Sequence, residues 1–408
     1  MKDKSNFSKF ILLWSGELIS SIGGGLTSFG LGVYIFQQTG SAASMALVTL
    51  LGFLPTLLLS VPAGVLADRY DRRLLMMIGD GCSALGIFFI LICMLNGGAS
   101  LWQICLGVFV SSVFSALLEP SFRATITDLL DKDDYSKASG LVSLAGSTRY
   151  LFSPVIAGFL LTISDVKLLL IIDICTFFLT VVSAAIVRKG IGSKEAKESE
   201  SFFKSIKEGW QILCEKKGIL VLVFISSAIT LFMGMLQILV EPLILSFSDA
   251  KTLGIAETVC ASGMLVSGVL LGVKGIKKHY VRTLGIALVL SGLFMAGFGI
   301  FENIIPICIF GFMFFAALPF ANNCLDYLTR TNIPDEAQGR VWGMISFISQ
   351  MGYVFAYAVS GAAADALGRV GNRGVGRGAA LVILVAGILL AITSTGILIP
   401  KSIRQLEV

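Results

Sequence analysis

The sequence predicts an all-α membrane protein of 12 transmembrane helices in two six-helix bundles. Three observations carry that reading. Charge is scarce: of 408 residues 55% are hydrophobic and only 14% charged, where a soluble domain carries roughly 25%. With a mean hydropathy of +0.88, so long a chain cannot clothe a globular surface in water-compatible groups, and the solvent expected is lipid. Twelve stretches are then apolar enough to cross a bilayer, which takes about 20 residues each. Finally, the halves echo each other. Pro120 and Gly140 stand 20 residues apart across one acidic loop, Pro319 and Gly339 stand 20 apart across another, and the offset is 199. Such internal symmetry points to six helices plus six, with a site between them.

The spans read, in order, Phe10–Phe36, Ala43–Leu66, Leu74–Leu95, Leu101–Ala124, Ala138–Ile163 and Val166–Val187 in the first half. The second half gives Ile219–Ser246, Gly254–Val273, Leu284–Phe301, Ile304–Tyr327, Val341–Ala364 and Ala379–Ile399. Each must be a helix, because lipid offers no partner to an unsatisfied backbone. The first run follows Lys2 and Lys4, is too long for a signal-peptide core and lacks a small-residue cleavage site, so it is expected to stay as span one. Residues 1–188 and 219–408 form the two bundles. The stretch 189–218 between them is a Lys/Glu/Ser linker in which Phe202, Phe203, Ile206, Trp210 and Leu213 fall at helical spacing, as in an amphipathic helix lying on the membrane surface.

Charge placement orients the chain. With a cytoplasmic N-terminus, 25 of the 31 lysines and arginines fall inside and 5 outside, and Arg149 lies within a span. The positive-inside bias puts both termini in the cytosol of an inner-membrane, multi-pass protein. Arg369, Arg373 and Arg377 form the one outward cluster.

After helix 2 the chain reads Gly64-Val65-Leu66-Ala67-Asp68-Arg69-Tyr70-Asp71-Arg72-Arg73. This run resembles the helix 2–3 signature of the major facilitator superfamily, G-x-L-A-D-R-x-G-R-R, with Asp71 in place of the second glycine. Ser153-Pro154-Val155-Ile156-Ala157-Gly158 resembles a relaxed form of the exporters' helix 5 motif, G-P-x-x-G-G. Pro334 to Val341 is similar to the P-x-x-x-x-G-R-V stretch of the macrolide-efflux and siderophore-exporter branch, and Asp80 and Asp173 match acidic positions of that branch. The resemblance implies the major facilitator fold, with Asp68 contacting the start of helix 11 near Gly339 and Arg340 as a conformational latch. It also implies that the helix 5 region, with Ser153, Pro154 and Gly158, limits leak between the halves; a plain packing kink is the competing reading. The residues allow the same latch. Gly64 clears space for close helix approach, and Asp68 can pair with Arg69, Arg72 or Arg73 or meet a helix N-terminus.

Charges inside spans cost about 3 kcal/mol each at mid-helix and are default functional candidates. Glu17 and Arg149 lie deepest by count from the span ends, either as a proton-coupling carboxylate or as a buried ion pair. Asp80, Asp173 and Asp326 lie nearer span ends, where structural roles are expected, and Glu119 and Glu241 precede prolines near helix ends, where capping is expected and gating is the competing reading. Aromatic and polar residues on helices 1 and 11, among them Trp14, Tyr34, Gln350, Tyr353 and Tyr357, suit a cavity for a bulky amphipathic ligand. Helix 1 carries Gly23, Gly24, Gly25, Gly30 and Gly32 without a following G-K-[ST], and the chain has a single histidine and 8 scattered cysteines without a C-x-x-C pair. These features argue against nucleotide-driven pumping, a metal site and an enzyme, and no cofactor or nucleic-acid partner is expected. The reading is a monomeric secondary transporter that exports a drug-like, macrolide-type compound in exchange for protons. Export of a metabolite such as a siderophore, uptake by a permease, and a non-transporting receptor or scaffold are the alternatives.

Overall fold

The computed structural model describes residues 6–131, 134–188, 217–276, 278–333, 338–370, 372 and 374–397. Those residues form 12 helical rods and include no strand. The first six are α1 (Phe7–Thr39), α2 (Ala42–Arg69), α3 (Arg72–Leu95), α4 (Leu101–Leu129), α5 (Tyr135–Ile163) and α6 (Val166–Arg188). The other six are α7 (Lys217–Leu245), α8 (Ala250–Lys274), α9 (Tyr280–Phe298), α10 (Ile304–Asn332), α11 (Gln338–Val370) and α12 (Gly374–Ile397). Eleven are apolar and long enough to cross a membrane. The remaining one, α11, is 33 residues long and interspersed with polar groups such as Ser346, Ser349, Gln350 and Ser360. The amphipathic helix expected at Phe202–Leu213 lies outside the described residues.

Helix starts follow local chemistry. Asp71 caps α3 by accepting from Arg73 N, Asp249 caps α8 through Thr252 N, and Ser100 with Gln103 closes a capping box at α4. α4 breaks at Ala116 and Leu117, and Pro120 sits in the first turn of its second segment, where a missing N–H costs no hydrogen bond.

The chain divides into two compact units, Met1–Thr39 with Leu47–Glu198, and Gly40–Ala46 with Ser199–Val408. Within the first, α1 packs on α5 and α6, and α3 on α4 and α6; within the second, α7 packs on α11 and α12, and α9 on α10 and α12. The packing thus repeats six helices on, in step with the echo read from the sequence. Small residues make these contacts possible. Gly16, Gly23 and Gly30 are spaced by seven, two helical turns, and an added Cβ would press in turn on Ser183, on Thr176 and Asp173, and on Leu169, all of α6. These three glycines of helix 1 are therefore a packing seam. Gly86 of α3 and Gly107 of α4 meet backbone to backbone, as do Gly292 of α9 and Gly387 of α12.

Candidate functional site

In the first unit α6 packs on both α1 and α3, and each of these helices carries an acid. Asp80 of α3 is 0% exposed with the Thr180 side chain as a polar neighbour, and neither of its carboxylate oxygens makes a hydrogen bond of good geometry among the described residues. Asp173 Oδ1 on α6 and Glu17 Oε2 on α1 are buried without a partner in the same sense. Asp80 has Glu17 and Asp173 as electrostatic neighbours. Asp173 lies against the α1 backbone, where a Cβ on Gly23 would stand 2.8 Å from Oδ1, and Thr27, Thr176 and the Arg149 guanidinium surround it. A buried carboxyl is costly unless it is protonated, hydrogen-bonded or paired. Three of them, with the Arg149 guanidinium near Asp173, make a site suited to taking up and releasing a cation or a proton.

The expected ion pair between Glu17 and Arg149 is not formed. Arg149 is exposed and its Nη2 donates to Ser28 Oγ at 3.2 Å. Ser28 lies 11 residues beyond Glu17, about 16 Å along a helix rising 1.5 Å per residue. Counting residues from span ends gives depth but not the face of the helix, and Arg149 and Glu17 take different levels of α1. Glu17 instead has like-charged Glu119 of α4 in range, itself paired with Arg123 at 2.8 Å.

Ser153 of the helix 5 motif is 1% exposed and donates to the Ile22 carbonyl of α1 at 3.0 Å. Its side chain fills the space that Gly25 leaves open, and Pro154 and Gly158 are buried beside it. Together with Trp14 Nε1, which donates to the Leu141 carbonyl at 2.7 Å, this bond stitches α1 to α5.

The signature run is held by charge. Arg72 Nη1 pairs with Asp128 Oδ1 at 2.8 Å and donates to the Ala124 carbonyl, while its Nε donates to the Ala67 carbonyl closing α2. Buried Arg73 reaches Asp128 Oδ2 at 3.9 Å. Asp71, standing where the signature has glycine, accepts from Arg188 Nε at 2.8 Å and so ties the α2–α3 loop to the end of α6. Arg69 is exposed. Among the described residues nothing lies within 4 Å of a Cβ on Gly64. The side chains of Asp68 and Arg340 lie outside the described residues; the backbone places Asp68 in the last turn of α2 and Gly339 and Arg340 in the first turn of α11.

Partial burial pushes the Asp71 carboxyl up, but the Arg188 hydrogen bond and charge and the Arg73 and Leu74 backbone N–H groups outweigh it, leaving the group below its ordinary range. A carboxyl depressed in the folded state binds more protons when unfolded, so its stabilisation is present above the unfolded value, about 4, and is lost as pH falls through the folded one. Asp71→Asn is expected to flatten the acid side of the stability–pH profile. The loss at neutral pH should stay under about 1 kcal/mol, because Arg188 is half exposed. Detergent melts across pH 3 to 7 (about the span in which carboxyls titrate) check this.

In the second unit Asp326 of α10 is half exposed and paired with Arg330 at 3.0 Å. It lines a cavity of about 200 Å³ with Ser226, Asn322, Thr329 and three apolar residues of α7, α10 and α11. Tyr357 donates to Gln237 Oε1 at 2.7 Å, joining α11 to α7. Glu241 lies inside α7 and does not cap it; its Oε2 is buried without a partner among the described residues, and Glu257 of α8 is its electrostatic neighbour. Glu257 was not singled out from the sequence, where an isolated glutamate eight positions into a span carries no motif.

The family model of the Major Facilitator Superfamily matches residues 13–357. The chain belongs to that superfamily. Macrolide efflux protein A of Streptococcus pyogenes is 27% identical over 372 residues, covering 88% of this chain and 90% of that one. The staphyloferrin A transporter of Staphylococcus aureus is 23% identical over 360 residues, covering 83% and 84%. Among solved structures, the bacterial homologue of the iron transporter ferroportin superposes with a TM-score of 0.74 at 13% identity over 97% of this chain and all of the other. The nucleoside transporter NupG does so with 0.70 at 12% over 96% and all. At that identity they report the fold alone. The superfamily member is a multi-pass membrane transporter and not an enzyme, and its relatives place it in the branch that the P-x-x-x-x-G-R-V stretch resembles.

Proposed function

We propose that the protein is a proton-coupled exporter of amphipathic, macrolide-type compounds, working as a monomer in the inner membrane with both termini cytoplasmic. Residues 1–188 and 219–408 rock as two bundles about a central site, and 189–218 links them. The observation that carries the coupling is the set of buried acids Glu17, Asp80 and Asp173 on three packed helices, each with at least one carboxyl oxygen that has no hydrogen-bond partner among the described residues. A carboxyl in that setting is stable protonated and costly charged, so it can exchange a proton when one side of the membrane gains access to it. The efflux proteins among the relatives support direction and substrate class. Asp68 at the end of α2, with Gly339 and Arg340 at the start of α11, is the cytoplasmic latch, while Arg69, Arg72 and Arg73 set the charge around it.

Purified protein in proteoliposomes, loaded with a labelled macrolide, tests this with an imposed pH gradient on or off. Expected is movement against the macrolide gradient only when protons run the other way. Identical fluxes with and without the pH gradient defeat the coupling. A second reading, export of a metabolite such as a siderophore, is favoured by the staphyloferrin A relative; gradient-driven movement of staphyloferrin A with none of macrolide selects it.

A further inference from the structure

α2 starts at Ala42, and its first turn belongs to the second unit while the helix runs on into the first. The first N–H groups of a helix have no partner within it and carry the positive end of its dipole. Local sequence supplies one cap, Ser41 Oγ accepting from Ser44 N at 3.2 Å. The rest comes from Asp365 of α11, more than 320 residues away in sequence. Asp365 Oδ1 accepts from Ala42 N at 2.9 Å, and Oδ2 accepts from Ala43 N at 3.2 Å and from Ser41 Oγ at 2.6 Å. Asp365 is 7% exposed. One turn earlier on α11, a Cβ on Gly361 would stand 2.8 Å from Ala43 Cα, so the two backbones touch at the cap.

The arrangement has a counterpart in the sequence. Gly64-x-x-Ala67-Asp68 closes α2, and Gly361-x-x-Ala364-Asp365 stands near the end of α11. Asp68 is expected at the first turn of α11; Asp365 occupies the first turn of α2. Asp365 thus supplies at one end of α2 what the resemblance expects of Asp68 at the other, 26 residues along the helix, about 40 Å at 1.5 Å per residue. The charge bias places the Asp68 end inside and the Asp365 end outside.

We propose that Asp365 is the outer latch of the transport cycle, a positioning residue that holds the first turn of α2 to α11 and lets it go when the outer end opens. The proposal rests on the alternating-access reading given above. In a background with the native cysteines replaced, spin labels at Leu47→Cys and Leu367→Cys, both exposed, report the outer distance, and labels at Tyr70→Cys and Phe347→Cys report the inner one. Asp365→Ala is expected to move the outer distance distribution from short to long by about tenfold in population, the effect of losing one charged cap. Asp365→Asn, which keeps an acceptor and loses the charge, should give a smaller shift and serves if the alanine variant does not fold. An outer distribution unchanged in both folded variants overturns the latch. An outer shift with an unmoved inner pair keeps the latch and defeats reciprocal access instead.

Discussion

Glu17→Gln is expected to leave the protein folded and still able to bind its compound, yet to remove the acceleration a pH gradient gives to export. Glutamine has nearly the shape of glutamic acid and no proton to exchange, so packing at α1 is preserved. Two ligands are coupled only through the free energy by which each changes the affinity for the other, typically 1–3 kcal/mol or about 5–150-fold. Loss of the coupling carboxyl should therefore lower gradient-driven flux in proteoliposomes by about tenfold, while exchange between equal macrolide pools continues. Asp80→Asn and Asp173→Asn sort the cluster: the acid that carries the proton behaves as Glu17 is expected to, and an acid that only tunes it shifts the pH dependence and leaves the maximum flux. Undiminished gradient-driven export by Glu17→Gln removes that residue from the mechanism.

The reach of sequence reasoning here followed the range of the interactions. Twelve spans and the six-plus-six repeat were legible because lipid imposes its length on every helix, and the packing within each unit repeats as the Pro120/Gly140 and Pro319/Gly339 echo suggests. The acids Glu17, Asp80 and Asp173 were legible one by one, since an intramembrane charge is rare enough to notice. Their meeting was not, because it depends on which faces of α1, α3 and α6 turn inward, and residue counts give depth alone. That is why residue counts leave a Glu17–Arg149 pair open as one of two readings, whereas in the structure Arg149 bonds Ser28. Asp365 is not legible in the sequence, because only the fold brings it to Ala42. The spacing shared by Gly64–Asp68 and Gly361–Asp365 was the one signal that could have found it.

The seams between helices lead to an opposed pair of stabilities on a single helix. Alanine normally improves a helix over glycine by about 1 kcal/mol, and Gly81→Ala should collect most of that, since the nearest atom to its Cβ is 3.9 Å away on Val181. Five residues on, a Cβ on Gly86 would fall on the Gly107 carbonyl and stand 2.8 Å from Ser111 N, both backbone atoms of α4. No rotamer relieves that contact; α3 and α4 must part. Parting them strains the bonds from Ser83 Oγ to the Ser111 carbonyl and to Ser115 Oγ, each 2.9 Å. Overpacking at about 1–3 kcal/mol and a weakened hydrogen bond at about 1 kcal/mol outweigh the propensity gain, so Gly86→Ala should lose about 2 kcal/mol. Reversible unfolding by sodium dodecyl sulfate in mixed micelles reads both variants, and Gly86→Ala as stable as Gly81→Ala contradicts the close crossing. Because lipid supplies no hydrophobic drive between helices, such crossings and the few polar bonds beside them are what hold α3 to α4.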